Sequence, residues 1–169
     1  EDWSVAGRTR RSASVTELLS KFKSATVTSI LQCAGNRAID DAKANGPNGF
    51  KGTPFEQLGC GMVGNVQWTG VRLSDLLPSM FPKLRSLAKV AATGCDDAIP
   101  EDLHIIFEGA DGYESSTPAR AVLSDGGDCL LATHMNGEPL PADHGFPCRA
   151  LLPGIAGGRS VKWLTCIRL

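Results

Sequence analysis

Ala25-Thr26-Val27-Thr28-Ser29-Ile30-Leu31-Gln32-Cys33-Ala34-Gly35-Asn36-Arg37 decides how the chain is read. The β-branched run from Ala25 to Ile30 has the character of a buried strand, and Leu31 carries it on. Gly35, Asn36 and Arg37 then read as a turn with a positive charge. Cys33 therefore stands at a strand end, where a thiolate is a soft donor suited to a transition metal. The plainer alternative is a cysteine serving as a small buried hydrophobe.

Outward from this stretch, Ser14-Val15-Thr16-Glu17 has the form of a capping box. Val15, Leu18, Leu19 and Phe22 follow at i, i+3, i+4 and i+7, which predicts a short amphipathic helix. Asp40 to Gly61, rich in Gly, Pro, Asn and Lys, reads as a long loop of the kind that is often functional. Val66 to Arg72 reads as a strand interrupted by Gly70, and Ser74-Asp75-Leu76-Leu77 opens a short helix that ends before Pro82. Val90 to Ala92 and His104 to Phe107 are expected strands on either side of an acidic loop. Pro118 to Leu123 reads as a helix with proline at its start. Leu130 to Thr133 is an expected strand, Asn136-Gly137 a tight turn, and Arg149 to Leu152 and Val161 to Leu169 the last strands. Many short strands with few short helices predict a sheet-rich α+β fold.

The 169 residues fit one domain, and 42% hydrophobic with 21% charged content is enough for a packed core. No apolar run approaches the roughly 20 residues of a membrane span. A net charge of −1 gives no reason to expect nucleic acid or a membrane surface as partner. Its distribution is more telling. Asp96 to Asp128 holds nine acidic residues and one basic one, whereas Pro147 to Leu169 holds Arg149, Arg159, Lys162, Arg168 and no acid. A basic, glycine-rich C-terminal segment suits a small anionic ligand. The six cysteines form no CxxC pair, which argues against zinc and points to a reducing setting. Cys129, Cys148 and Cys166 lie in apolar runs and read as core. The ends read as cuts through folded structure, so the expectation is one domain, residues 1–169, of a longer protein.

Two further blocks carry candidate chemistry. In Asp143-His144-Gly145-Phe146-Pro147-Cys148-Arg149, His144 can donate to an oxygen anion or be a solvent-exposed turn residue. Arg149 opens an apolar strand, where a buried guanidinium needs a phosphate or a protein carboxylate. In Gly154 to Lys162, Gly154, Gly157 and Gly158 stand beside Arg159, Ser160 and Lys162. This is either a cradle of N–H groups for a phosphate or a tight inter-strand connection. Asp111, after Phe107-Glu108-Gly109-Ala110, could accept from a polar heterocycle or be a solvated loop acid. Trp68 and Trp163 read as core.

In combination these blocks resemble the molybdenum-cofactor domain of the sulfite oxidase family, which includes eukaryotic nitrate reductase. The matching stretches are LQCAGNR at 31–37, WTGVRLSDLL at 68–77, FEGAD at 107–111 and MNGEPLPADHGFPCRALLPGIAGGRSVKWL at 135–164. The resemblance implies that Cys33 ligates molybdenum and that Asp111, His144, Arg149, Ser160, Val161 and Lys162 contact a molybdopterin cofactor. It implies two-electron oxo transfer, with Arg37 holding a small oxyanion such as sulfite, and electrons leaving to a separate acceptor domain or protein. Likeness to the animal enzymes implies a mitochondrial location. Ala38 stands where the family carries a second arginine, and Phe50 to Gly61 lacks its loop tryptophan. The family's upstream F-x-x-R-N-H segment, its active-site tyrosine beyond the VKW strand and its C-terminal dimerisation domain fall outside the chain. A second reading follows from these departures: a degenerate, non-catalytic member, its cofactor lost, serving as a structural subunit of a larger assembly.

Overall fold

The computed structural model describes residues 12–54, 56–91, 99–124 and 128–169. Helix α1 (Val15–Lys21) starts where the capping pattern predicts, with Ser14 Oγ accepting the Glu17 N–H at 3.1 Å. Strand β1 (Ser24–Gln32) follows and pairs antiparallel with β2 (Val63–Arg72), Val27 opposite Trp68 and Gln32 opposite Val63. β2 pairs with β5 (Leu130–Met135), which turns through Asn136-Gly137 into the two-residue β6 (Glu138–Pro139) and also pairs with β7 (Arg149–Leu151). Asn136 and Gly137 both have positive φ, 52° and 86°, as a tight hairpin turn requires. A second sheet has the order β4-β3-β8, from β3 (His104–Gly109), β4 (Glu114–Pro118) and β8 (Leu164–Arg168). Among the described residues the α+β fold also has the helices α2 (Ala38–Asn45), α3 (Leu73–Met80), α4 (Pro82–Ala91) and α5 (Ala119–Leu123).

β5 explains why two cores form around one sheet. Leu130 and Ala132 pack with Val27, Trp68, Leu140 and Leu151 in one cluster. Leu131, between them, packs with Leu73, Leu76, Phe107 and Leu152 in the larger one. A strand covered on both faces has no polar side, so it reads as a continuous apolar run rather than an alternation.

Several expectations need correction. The stretch read as a loop from Asp40 begins inside α2, which starts at Ala38, and continues through a 3-10 turn at Gly46–Asn48. Only Ala38 and Ala42 of α2 are buried, too narrow an apolar stripe to stand out from its polar neighbours. Val90 and Ala91 end helix α4 rather than form a strand, and Ala92 lies outside the described residues. β4 was not anticipated because its inward residues are Ser115 and Thr117, buried but not apolar. The helix expected from Pro118 starts at Ala119, with Pro118 as its N-cap and the last residue of β4. The last strand starts at Leu164, because Trp163 at φ 50° breaks the extended run that begins at Val161.

Gly70 sits where β2 and β5 lose register, and a Cβ there would lie 2.0 Å from the Leu131 carbonyl oxygen. Gly70→Ala must push the two central strands apart. It is expected to cost about 2–4 kcal/mol in urea unfolding. Gly64→Ala, whose added Cβ meets nothing closer than 4.0 Å, is expected to stay within about 0.5 kcal/mol.

Candidate functional site

The site is built where β1 ends. Cys33 N–H donates to the Met62 carbonyl at 3.0 Å, and the Cys33 carbonyl accepts from Asn36 N–H at 3.0 Å, closing the turn. Asn36 Oδ1 accepts the Met62 N–H at 3.0 Å, and Arg37 N–H donates to the Gly59 carbonyl at 2.8 Å. Arg37 takes a left-handed conformation, φ 64°, as the residue before α2. The turn is thus pinned to residues 59–62 on one side and to α2 on the other, which leaves Cys33 exposed. Its Sγ accepts from Gly35 N–H at 3.4 Å, which orients the sulfur. The thiol opens on a groove of about 730 Å³ with Thr28, Ile30, Gln32 and Asn65 on one wall and Gly154 and Ala156 on the other. That volume falls within the range of small-molecule sites.

Arg37 is placed differently from Cys33. Its guanidinium is exposed and its Nε donates to Asp40 Oδ2 at 2.9 Å. The hydrogen bond and charge of Asp40 hold its pKa above the ordinary arginine value. It does not form part of the groove wall, and neither does Ala38, which is fully buried at the first turn of α2.

A second cavity, about 170 Å³, is lined by Asp111, Tyr113, Arg149, Gly157, Gly158, Ser160, Val161, Lys162 and Trp163. It brings together all the residues expected to hold a cofactor except His144. That histidine is exposed in a 3-10 turn, Ala142–His144, and contributes its carbonyl, which accepts from an Arg149 NH group at 3.1 Å. The Ser160 carbonyl accepts from the other terminal nitrogen of Arg149 at 2.8 Å. Ser160 Oγ accepts the Leu152 N–H at 3.0 Å, and the Val161 side chain is in the core, so these two residues shape the wall mainly through their backbone. Lys162 Nζ donates to the Asp143 carbonyl at 2.9 Å and lies 4.3 Å from the Trp163 ring. Arg159 turns away to β4, donating to Ser115 Oγ and the Ser116 carbonyl.

Two wall residues were missed in the sequence. Tyr113 donates its hydroxyl to the Gly158 carbonyl at 2.9 Å and its N–H to Asp111 Oδ1 at 3.1 Å, tying the β3–β4 turn to the glycine pair. Trp163, read as core, is on the cavity wall with its indole N–H donating to the Ala142 carbonyl at 2.8 Å. Its position directly after Ser160-Val161-Lys162 was the available signal. Trp68 is core as expected, 1% exposed.

The groove and the cavity are served by one loop. A Cβ on Gly157 would lie 2.9 Å from the Gln32 carbonyl oxygen and 3.5 Å from Cys33 N, so only a glycine lets this segment lie against the end of β1. Gly154 to Ala156 line the groove, and Gly157, Gly158 and Ser160 to Trp163 line the cavity.

Electrostatics single out Arg149. It is 3% exposed, its hydrogen bonds go to carbonyl oxygens, and among the described residues no carboxylate pairs with it. Burial pushes its pKa down to about 10. From there up to the ordinary arginine value the unfolded chain binds more protons, so this group's contribution to stability rises with pH in that window. Below about 10 the folded state bears the full cost of a buried cation. A bound anion would relieve that cost. Burial also pushes the Cys129 and Cys148 thiols up to about 11, so they stay protonated at neutral pH while Cys33 faces the groove.

Among the described residues no three His, Cys, Asp or Glu side chains are grouped to hold a metal ion. A metal at Cys33 would therefore take most of its donors from a cofactor. The buried cation without a carboxylate partner, the glycine segment and the accessible Cys33 thiol in the groove fit an anionic, metal-carrying cofactor. Among the described residues no helix is long and apolar enough to cross a membrane.

Comparison with known proteins agrees with this arrangement. Residues 2–169 match the oxidoreductase molybdopterin-binding domain family. The chain is 38% identical to the mitochondrial sulfite oxidase of Drosophila melanogaster over 148 residues, which is 84% of this chain and 22% of that protein. It is 34% identical to the NADH nitrate reductase of Ulva prolifera over 165 residues, 95% of this chain and 18% of that protein. The crystal structure of the sulfane dehydrogenase SoxCD from Paracoccus pantotrophus is also similar, with a TM-score of 0.59 and 29% identity over 88% of this chain and 32% of that one. The chain belongs to the oxidoreductase molybdopterin-binding domain family, within its sulfite oxidase and nitrate reductase branch. It spans about a fifth of the length of the two curated relatives.

If the cavity is an anion site, pyrophosphate raises the melting temperature of the cofactor-stripped protein by about 2–4 °C beyond a sodium chloride control. Arg149→Met abolishes that increment while the protein itself melts no lower than about 3 °C below wild type. Differential scanning fluorimetry reads both.

Proposed function

We propose that this chain is the cofactor-holding domain of a molybdenum-dependent oxidoreductase resembling sulfite oxidase. The observation that carries the reading is the buried, carboxylate-free Arg149 in a wall that continues, through Gly157, to the backbone at Cys33. Cys33 supplies the protein thiolate to the metal. Arg149, Lys162 and the N–H groups near Gly157 and Gly158 hold the anionic end of the pterin cofactor. Asp111, His144, Ser160 and Val161 define its seat through side-chain and backbone polar groups. When bound, the molybdenum cofactor supplies two-electron oxo-transfer chemistry.

The substrate class is a small oxyanion such as sulfite. Arg37 is the cation nearest in sequence to Cys33, and release from Asp40 would free its guanidinium for an anion. Electrons pass to a separate acceptor domain or protein, in keeping with a chain that spans about a fifth of its curated relatives. The mitochondrial sulfite oxidases among its relatives support a mitochondrial location. The fully buried Ala38 and the Arg37–Asp40 pair favour a second reading, a non-catalytic subunit of a larger assembly that keeps the fold.

Molybdenum and pterin content of the full-length protein, purified from its native source, separate the two readings. The enzyme reading expects both near stoichiometric, with Cys33→Ser keeping pterin and losing more than about a hundredfold in sulfite turnover. A well-folded native protein with neither molybdenum nor pterin would contradict it.

A further inference from the structure

The geometry points to Trp68 as a positioning residue for Arg149: its ring holds the buried guanidinium at the cavity wall, where it meets the anionic end of a cofactor. The inference rests on the cofactor reading given above. Arg149 Cζ lies 5.2 Å from the centroid of the Trp68 ring, within the range of a cation–π contact, which strengthens when water is excluded. Both partners are out of water, Trp68 at 1% and Arg149 at 3% exposure.

A second observation separates this role from simple core filling. The Trp68 indole Nε1 is buried and has no hydrogen-bond partner among the described residues. Its neighbours in the core cluster are Val27, Leu130, Ala132, Leu140 and Leu151, all apolar. A position that only needed filling would be better served by a side chain without an N–H to strand. The aromatic face is what the indole adds, and the cation lies over it. Among the described residues the guanidinium nitrogens donate to carbonyl oxygens, and the Trp68 ring is the aromatic face that the charge lies over. The strands carry the contact across the sheet: Arg149 pairs with Ala132, and Ala132 with Gly70, two residues beyond Trp68 on β2.

The test compares the full-length, cofactor-loaded protein with Trp68→Phe, Trp68→Leu and Leu130→Ala. Leu130→Ala removes volume from the same cluster while leaving the Trp68 ring in place. The readouts are melting temperature, pterin content and the rate of pterin release at raised ionic strength. Release from Trp68→Leu is expected to be about tenfold faster or more, and from Trp68→Phe about twofold to threefold faster. Leu130→Ala should release pterin at the wild-type rate despite a comparable loss of melting temperature. Wild-type release from Trp68→Leu, or equal acceleration by Leu130→Ala at matched melting temperature, would overturn the positioning role. Should Trp68→Leu not fold, Trp68→Phe decides, and a wild-type rate from it overturns the role. Wild-type protein that carries no pterin overturns the cofactor reading itself, and this inference with it.

Discussion

A single buried cation organises the site half of this molecule. Arg149 enters on β7, held beside β5 through Ala132, and its two terminal nitrogens take carbonyls from different loops. One loop is the 3-10 turn ending at His144, the other the segment through Ser160. A charge out of water demands partners, and among the described residues this one has neutral carbonyl oxygens and the face of Trp68 but no carboxylate. The result is a folded arrangement that holds two loops in place and leaves positive charge uncompensated at a cavity wall. An anion bound there, as proposed, would compensate that charge.

The second constraint is a close approach. Gly157 packs on the carbonyl of Gln32, immediately before Cys33, at a distance that no Cβ permits. This contact makes the thiol and the cavity parts of one surface, although 116 residues separate Cys33 from Arg149 in the chain. The turn at Cys33 is in turn fixed by hydrogen bonds to residues 59–62 and by α2. A ligand that spans both would bridge a rigid strand end and a glycine-rich loop, the combination of preorganised donors and close backbone approach that phosphate-bearing cofactors use.

Much of this was legible because the local chemistry is strong. The Ser14 cap and the Asn136-Gly137 turn each have one favoured conformation and are found where expected. The β-branched run into Cys33 is a strand as expected but not a buried one, since only Val27 of β1 is buried and Ile30 is 60% exposed. Family resemblance implied one seat for Asp111, His144, Arg149, Ser160, Val161 and Lys162, and the fold gathers all of them except His144 around one cavity. What could not be read depends on tertiary context. β4 buries serine and threonine, which no hydrophobic pattern marks. α2 offers two alanines as its buried face. Tyr113 reaches the site by a hydrogen bond across 45 residues, and Trp163 by a positive-φ kink that ends an apparently continuous strand. Arg37 shows the reverse case: its neighbour in the ion pair, Asp40, lies three residues on, a helical spacing that became visible only once α2 was seen.

If, as proposed, Cys33 and the Arg149 cavity serve one cofactor, molybdenum X-ray absorption distinguishes the loaded full-length protein from Cys33→Ser. The variant is expected to retain molybdenum and pterin but to lose a sulfur neighbour from the metal's first coordination shell. An unchanged sulfur shell in Cys33→Ser would contradict that proposal.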